Sequence, residues 1–423
     1  MAPAKRKQIQ KHNLDVIQGG NGAIEAALSE IPIHPKSFSR DLPVSGAWFL
    51  GDPVGHRKFI NVTDGRPFAL EAGGVLTEVI QAYETWGKLN SDSTNAVLIC
   101  HALTGDSHVS GDSSASHPTK GWWDDIVGPG KAVNTDEFFV VCINVLGGCQ
   151  GSTGPSSINP VNNRPYGSVF PNITIRDIVR AQAKVADYLG INKWHAIIGG
   201  SMGGMQVLEW GAMFPERAPR IAPIATSLAA SAQQIAWSAV GRAAIALDPR
   251  WRDGNYYEAD PGDGPHAGLA TARAIAQIHY RSDASFQSRF GRDLVDKDSL
   301  FGLWDRFEVE SYLDYHGEKL IRRFDANSYL VLNRAMDTHD LARGRGSLEN
   351  AVRRIKAKVV TASISTDILY PPHQQQEIQK VIQSVGGSCS YEEIEDQNGH
   401  DGFLLATAEI GAILSQLLED SKP

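Results

Sequence analysis

One serine in the sequence stands in a setting that could make it a nucleophile. Ser201 lies in a Gly-x-Ser-x-Gly pattern, between a mostly apolar run typical of a buried strand and a segment with helical spacing of apolar residues. A serine at such a strand-to-helix turn has strained backbone geometry, and small neighbours are needed because strand and helix pack closely there. The amino end of the helix directs free N–H groups and partial positive charge at an anion forming on the substrate. The pattern alone also fits a glycine-rich turn that only packs or binds phosphate, but the strand–turn–helix context favours a catalytic serine.

A serine hydroxyl attacks at neutral pH only with a base beside it, and the base needs an orienting acid. In the chain order serine, acid, histidine, the acid follows a strand of the resumed sheet and the histidine follows the last strand. Asp367 and His400 occupy those two places. The sequence therefore predicts Ser201, Asp367 and His400 as a catalytic triad, with Asp396 and Asp401 as weaker candidates for the acid.

The negative oxygen of a tetrahedral intermediate needs two N–H donors. The residue after the nucleophile supplies one of them, and here that residue is Met202. The loop after an earlier strand supplies the other, which we assign to Leu103. Both roles belong to the backbone, so the residue types carry little information.

The pattern of apolar runs predicts an α/β fold. Runs that are apolar throughout, at 96–100 and 140–143, indicate strands covered on both faces and hence a parallel sheet. After about residue 228 the sequence becomes mainly helical, and the sheet pattern resumes at about residue 357. We therefore expect a core with an inserted helical lid, divided into an N-terminal arm open to disorder at 1–47, a core at 48–227 and 355–423, and a lid at 228–354. The helices predicted in the lid are 231–247, 267–280, 309–320 and 326–336.

Composition excludes several classes of protein. The chain has 423 residues, of which 42% are hydrophobic and 21% charged, as in soluble globular proteins. A net charge of −8 without a long basic patch argues against nucleic acid as a partner. No apolar run approaches a transmembrane span, and the basic N-terminus precedes no apolar core of a secretory signal.

The cysteines point to a reducing compartment. Cys100 and Cys142 lie in strand-like runs, which predicts buried free thiols rather than disulfides. The spacing of cysteines and histidines predicts no metal site. We therefore expect a cytoplasmic protein without a membrane partner.

Longer strings around the triad resemble the homoserine O-acetyltransferase family of the α/β-hydrolase superfamily. The match runs in order from about Val75 to Leu418, including the lid, and leaves the segment before about Trp48 uncovered. The matching strings are HALTGD at 101–106, GWWD at 121–124, NVLGGCQGSTGPSSI at 144–158, GGSMGGMQVLEW at 199–210, GNYYE at 254–258, VESYL at 309–313, RFDANSY at 323–329 and TDILYP at 366–371.

This resemblance implies an α/β-hydrolase fold with a mostly parallel central sheet, and a ping-pong acyl transfer. Ser201 would accept the acetyl group of acetyl-CoA and pass it to the γ-hydroxyl of L-homoserine, giving O-acetyl-L-homoserine for methionine synthesis. It also implies that Arg273 binds the homoserine carboxylate and Asp401 its ammonium group, with Thr104 and Tyr280 in the pocket. A long lid would keep water from the acyl-enzyme. The resemblance further implies two small-molecule substrates, no bound cofactor and a homodimer formed through the lid.

Several alternatives stay open. Some relatives use succinyl-CoA and tend to carry an arginine near position 369, where the apolar Leu369 favours acetyl. Others acetylate serine or a cephalosporin precursor. A carboxylesterase would share the triad and use water as acceptor, although the lid strings argue against it. A non-catalytic binding protein is disfavoured because all three triad positions are filled.

Overall fold

A mixed sheet forms the centre of the part of the chain that the computed structural model describes, residues 41–297 and 300–419. In this part the main sheet has eight strands. They are β1 (Lys58–Asn61), β2 (Ile80–Trp86), β3 (Ala96–Cys100), β4 (Phe139–Ile143), β5 (Ala196–Gly200), β6 (Arg220–Ile224), β7 (Lys358–Ile364) and β8 (Ser388–Ile394). Their order is β1–β2–β4–β3–β5–β6–β7–β8. Among these strands β2 is antiparallel to both of its neighbours, β1 and β4, and every other pair is parallel, so the predicted mostly parallel sheet is confirmed.

The central strands are buried along their whole length. All residues of β3 and β5 are buried, which explains why their sequences are continuous apolar or glycine runs. Further two-residue strands pair outside the sheet: Phe68–Ala69 with Val75–Leu76, Val127–Gly128 with Val133–Asn134, and Ile158–Asn159 with Arg164–Pro165. The four cysteines are free and buried, as predicted for Cys100 and Cys142.

Helices cover the sheet and build the lid. They are α1 (Ile175–Tyr188), α2 (Met202–Met213), α3 (Ala232–Ala246), α4 (His266–Tyr280), α5 (Asp283–Phe290), α6 (Glu308–Ile321), α7 (Ala326–Asp337), α8 (Leu348–Val352), α9 (Pro372–Ser384), α10 (Gly402–Leu405) and α11 (Thr407–Glu419). Short 3₁₀ helices occur at Gly167–Val169, Pro215–Arg217, Pro249–Gly254 and Gly399–Asp401. The first helix begins with a reciprocal capping box between Thr174 and Asp177, and α3 with one between Ser231 and Gln234.

The four helices predicted for the lid appear as α3, α4, α6 and α7, within two residues of the predicted ends. The two ends of the insertion lie side by side, because Ala229 pairs with Asp340 in an antiparallel bridge and the Leu341 N–H donates to the Leu228 carbonyl at 2.9 Å. We therefore propose that the lid ends near Leu341, earlier than the expected residue 354. Beyond that point α8 packs against α9 of the core.

Asp325 connects two lid segments with the end of the N-terminal arm. Its buried carboxylate accepts hydrogen bonds from Tyr256 at 2.6 Å, Tyr257 at 2.9 Å and Ser45 at 2.7 Å. Residues 41–47 of the arm are therefore packed, with Ser45 only 5% exposed, and the expectation of disorder is wrong for them. The remainder of the arm, 1–40, lies outside the described residues.

The pattern at the C-terminal end predicts one helix from about 404 to 418. Helix α11 confirms it from Thr407 onward, but the residues before Ala406 belong to the separate short helix α10. The chain bends by 61° between the segment Gly399–Leu405 and α11. The break at Ala406 is invisible in the sequence because apolar residues continue through it. No single helix among the described residues is long and apolar enough to cross a membrane, although this bent pair reaches the required length and composition when taken together.

Candidate active site

Ser201 sits at the sharp turn between β5 and α2. Its backbone has φ 58° and ψ −124°, a strained conformation for a residue with a side chain. The turn is held by hydrogen bonds from the Ser201 N–H to the Ile224 carbonyl and from the Thr226 hydroxyl to the Ser201 carbonyl, both at 2.9 Å. A Cβ atom at Gly203 would lie 2.1 Å from the Cys100 carbonyl oxygen, so only glycine lets α2 approach β3 this closely.

The three predicted triad residues form one chain of hydrogen bonds. Ser201 Oγ lies 2.9 Å from His400 Nε2, and His400 Nδ1 lies 2.7 Å from Asp367 Oδ2. The three residues are 6%, 2% and 3% exposed in the order Ser201, His400, Asp367. Because a carboxylate only accepts, the proton of the neutral imidazole lies on Nδ1 and Nε2 is free to accept the serine proton.

Asp367 is itself fixed by the backbone. Its Oδ1 accepts hydrogen bonds from the N–H groups of Leu369 at 2.8 Å and Tyr370 at 2.9 Å. The turn after β7 therefore orients the carboxylate, which leaves Oδ2 for the histidine. This arrangement distinguishes Asp367 from Asp396, whose carboxylate binds Asn398.

Aromatic rings enclose the histidine. Tyr370, Phe403 and Tyr280 have ring centroids 5.1, 5.3 and 5.8 Å from that of His400. A Cβ at Gly200 would lie 2.3 Å from the Phe403 ring, so the glycine before the nucleophile makes room for this packing. The rings restrict the rotation of the imidazole and exclude water from it. Sequence patterning did not reveal these contacts, since aromatic residues in a core carry no distinctive spacing.

The backbone N–H groups of Met202 and Leu103 are available to an anion. Neither donates to an acceptor within the described residues. The loop that carries Leu103 is fixed by His101, which the sequence did not single out. Its Nδ1 donates to the Ala102 carbonyl at 2.8 Å, and its Nε2 accepts from the Val145 N–H at 3.0 Å. Burial lowers the pKa of His101, which keeps the ring neutral and able to make both bonds.

Arg273 reaches the same loop from α4. Its Nη1 lies 3.5 Å from Thr104 Oγ1, and its guanidinium lies 5.3 Å from the centroid of the Tyr280 ring. The Gln277 amide, with its oxygen facing the arginine, accepts from Nη2 at 2.8 Å and from Nε at 3.2 Å. Within the described ranges no carboxylate lies within 4.0 Å of this cation. Three of the predicted substrate-binding residues, Arg273, Thr104 and Tyr280, are thus brought together.

Asp401 already has a cationic neighbour. Its Oδ2 lies 3.2 Å from Arg281 Nε, a pair that the sequence did not predict. Burial raises the pKa of Asp401, whereas Arg281 and Arg273 act in the opposite direction. An ammonium group at this carboxylate would therefore share it with Arg281.

A cavity opens at Ser201 between the core and the lid helices α3, α4 and α7. The residues that line it are Leu103, Ser201, Met205, Ala230, Gln234, Trp237, Ser238, Ala272, Ile275, Ala276, His279, Tyr280, Tyr329, Asn333, Met336, Asp337, Leu369 and Tyr370. Most of this lining is apolar. Burial lowers the pKa of His279 to about 3, so that ring is neutral at physiological pH.

One group in the described part of the chain has the residue types of a metal site. Glu84, His108 and His117 are buried with their ligand atoms within 4.8 Å of one another. The two imidazoles stack at 3.9 Å with an interplanar angle of 9°, so their nitrogen lone pairs do not converge on one point. The glutamate instead accepts hydrogen bonds from Ser107 and pairs with His108. We assign no metal to this group.

Comparisons with known proteins agree with this geometry. A family model described as the alpha/beta hydrolase fold matches residues 95–407. The homoserine O-acetyltransferase of Thermobifida fusca is 52% identical over 378 residues, which cover 89% of this chain and 97% of the relative.

Two solved structures are also similar. The crystal structure of homoserine O-acetyltransferase from Bacillus anthracis has a TM-score of 0.79 at 28% identity, over 86% of this chain and 97% of that one. That of esterase E22 has a TM-score of 0.78 at 28% identity, over 86% of this chain and 99% of that one. Because the α/β-hydrolase family model matches most of the chain and a homoserine O-acetyltransferase is 52% identical to it, the chain belongs to the homoserine O-acetyltransferase family.

Proposed function

We propose that this enzyme transfers the acetyl group of acetyl-CoA to the γ-hydroxyl of L-homoserine through an acetyl-Ser201 intermediate. The observation that carries the proposal is the hydrogen-bonded chain Ser201–His400–Asp367, with the Arg273 guanidinium beside the neighbouring Thr104 and not in a salt bridge with any described residue. The high identity to named homoserine O-acetyltransferases supports the substrate. The product, O-acetyl-L-homoserine, would enter methionine synthesis in the cytoplasm.

In the first half-reaction, His400 Nε2 takes the hydroxyl proton as Ser201 Oγ attacks the thioester carbonyl carbon. The N–H groups of Met202 and Leu103 stabilise the negative oxygen of the tetrahedral intermediate. The carbon–sulfur bond then breaks, and His400 returns its proton to the sulfur so that free coenzyme A leaves. Asp367 holds the imidazole in the required tautomer and stabilises its protonated form.

The second half-reaction repeats these steps with a different nucleophile. His400 takes the proton of the homoserine hydroxyl, whose oxygen attacks the acetyl carbon. The ester bond to Ser201 breaks, and the serine oxygen recovers its proton from His400. Transfer rather than hydrolysis requires that water be excluded, which the lid and the rings around His400 favour.

Homoserine is a zwitterion, and the site offers a group for each charge. Arg273 would bind the carboxylate, since a guanidinium donates two hydrogen bonds in the geometry a carboxylate accepts. Asp401 would bind the ammonium group, shared with Arg281. Thr104 and Tyr280 would complete the pocket by holding Arg273 in position.

The lining of the cavity supports acetyl over succinyl as the acyl group. A succinyl carboxylate buried there would need a cation. None of the described residues that line this cavity is a lysine or an arginine, and the lining includes Asp337. Arg273 and Arg323 lie outside this lining, beside Thr104, on the side where we place the acceptor's carboxylate. Leu369, near which succinyl-using relatives tend to carry arginine, is an apolar wall that is 7% exposed.

A carboxylesterase is the second candidate, because esterase E22 shares the overall structure. One assay separates the two. The enzyme is incubated with acetyl-CoA, and thiol release is followed with and without L-homoserine. Release that depends on homoserine supports the transferase, whereas equal release without an acceptor supports the esterase. Replacing L-homoserine by L-serine tests the alternative acceptor, and replacing acetyl-CoA by succinyl-CoA tests the alternative acyl donor.

We further propose a homodimer through the lid. The apolar side chains Ile235, Val240 and Ile278 on α3 and α4 are 37%, 54% and 45% exposed, and a second copy packed against these helices would cover them. Light scattering of Val240→Asp beside the wild type tests this, with a loss of dimer expected. A wild-type monomer would contradict it.

A further inference from the structure

Arg323 places a second guanidinium beside Thr104. It lies in the turn between α6 and α7, and its Nη1 donates to the Thr104 carbonyl at 2.7 Å. Arg273 approaches the hydroxyl of the same threonine from α4. Thr104 directly follows Leu103, and the Cα atoms of consecutive residues are about 3.8 Å apart. The guanidinium groups of Arg273 and Arg323 therefore contact the residue next to the one whose N–H we assign to the oxyanion hole.

Neither of these guanidinium groups forms a salt bridge in the described part of the chain. Arg273 and Arg323 each lack a carboxylate oxygen within 4.0 Å. Burial lowers the pKa of Arg323, with Arg273 adding to the effect and Asp106 opposing it. The two guanidinium groups therefore lie close together without a carboxylate in direct contact, and an anionic ligand would supply that contact.

Arg323 is held firmly but its hydrogen-bonding capacity is not filled. Gln150 Nε2 donates to the Arg323 carbonyl at 2.7 Å and to the Gly46 carbonyl at 3.1 Å. A Cβ at Gly46 would lie 2.5 Å from the Arg323 backbone nitrogen, so the packed end of the arm fixes this turn. The buried Nε of Arg323 nevertheless has no hydrogen-bond partner.

We propose that Arg323 is a second binding residue for the acceptor's carboxylate, which it and Arg273 hold from two sides. This inference rests on the proposed function and sharpens its acceptor specificity. The homoserine carboxylate suits the position between Arg273 and Arg323, because only a short carbon chain separates this carboxylate from the γ-hydroxyl that reacts at Ser201. The diphosphate of coenzyme A is separated from the thioester by the whole pantetheine arm, and so cannot reach Thr104 while the thioester lies at Ser201.

The test compares Arg323→Gln with Arg322→Gln, an exposed neighbour that serves as the matched control. Steady-state constants are measured for acetyl-CoA, L-homoserine and L-homoserinol, in which an alcohol replaces the carboxylate. Pre-steady-state release of coenzyme A without acceptor reports the first half-reaction alone. Arg323→Lys retains the charge and is expected to recover part of the activity, which guards against a folding defect in the glutamine variant.

We expect Arg323→Gln to lower kcat/KM for L-homoserine by roughly 10- to 100-fold, as for a lost hydrogen bond to a charged group. The constants for homoserinol and the first half-reaction should stay close to wild type. An equal loss with homoserinol, or a slower first half-reaction, would show that Arg323 only positions the loop through Thr104 and would overturn the proposal. A raised KM for acetyl-CoA alone would instead assign the cation to coenzyme A. If coenzyme A release by the wild type does not depend on L-homoserine, the proposed function is refuted, whatever the results for the Arg323 variants.

Discussion

Asp367→Asn should abolish most of the activity without unfolding the protein. In the wild type, Asp367 Oδ1 accepts from two backbone N–H groups, and Oδ2 faces His400 Nδ1 at 2.7 Å. An asparagine has one oxygen and one NH₂ group to fill these two places. If its oxygen stays with the backbone N–H groups, its NH₂ donates to Nδ1 and moves the imidazole proton to Nε2. The histidine could then no longer accept the proton of Ser201.

The backbone decides which orientation the asparagine takes. Turning the amide over would restore the correct tautomer but would direct its NH₂ at the N–H groups of Leu369 and Tyr370. Leaving two buried N–H groups without an acceptor costs about 1–3 kcal/mol each. The amide is therefore held in the inactive orientation by roughly 2–6 kcal/mol. Loss of the correct tautomer in a Ser-His-Asp triad lowers kcat by about 10⁴-fold, and we expect a fall of roughly 10³- to 10⁴-fold here.

The assay is the rate of coenzyme A release in a single turnover without acceptor, which isolates proton removal from Ser201. Thermal unfolding of the variant shows whether the fold is retained. Asp396→Asn is the matched control, since this acid lies near His400 in sequence and its carboxylate binds Asn398. We expect it to stay within about 10-fold of wild type, the range of an indirect positional effect. The triad assignment is refuted if Asp396→Asn, and not Asp367→Asn, abolishes release.

Three further predictions concern recognition and stability. Arg273→Ala should raise KM for L-homoserine far more than KM for acetyl-CoA, and equal effects in steady-state kinetics would remove its proposed role. Gly203→Ala forces a Cβ to within 2.1 Å of the Cys100 carbonyl and should lower the free energy of unfolding in urea by about 1–3 kcal/mol or more. Gly241→Ala in α3, whose Cβ would come no nearer than 3.6 Å to another group, the Tyr329 hydroxyl, should be neutral or stabilising, and similar losses in both variants would contradict the packing argument. His339 is buried and its pKa is lowered to about 4, so the unfolded chain takes up the proton first as the pH falls. Between pH 7.5 and pH 5 the wild type should lose about 2 kcal/mol more stability than His339→Gln, and parallel pH profiles would contradict this.

The triad could be predicted from sequence because each member follows a strand in a fixed chain order. The glycines around Ser201 mark the one turn that needs them, and Asp367 and His400 fall after the strands that resume beyond the lid. The continuous apolar runs likewise predicted the parallel strands, since burial on both faces leaves no polar alternation.

Other features depend on the direction of a side chain or on a contact between distant segments. His101 accepts a hydrogen bond from the Val145 N–H, and Arg323 donates one to the Thr104 carbonyl. Single polar residues carry no sequence pattern that reveals such partners. The Asp401–Arg281 pair joins a loop of the core to the end of a lid helix. The break at Ala406 was missed because its apolar spacing is that of a continuous helix.

The most direct test of the acyl-serine mechanism is mass spectrometry of the enzyme after mixing with acetyl-CoA alone. We expect the peptide that contains Ser201 to gain the mass of one acetyl group, and L-homoserine to remove it much faster than buffer does. The Ser201→Ala protein should gain nothing at this peptide. Homoserine-dependent release of coenzyme A without any acetylated Ser201 would contradict the mechanism, as would loss of the acetyl group at the same rate with and without homoserine.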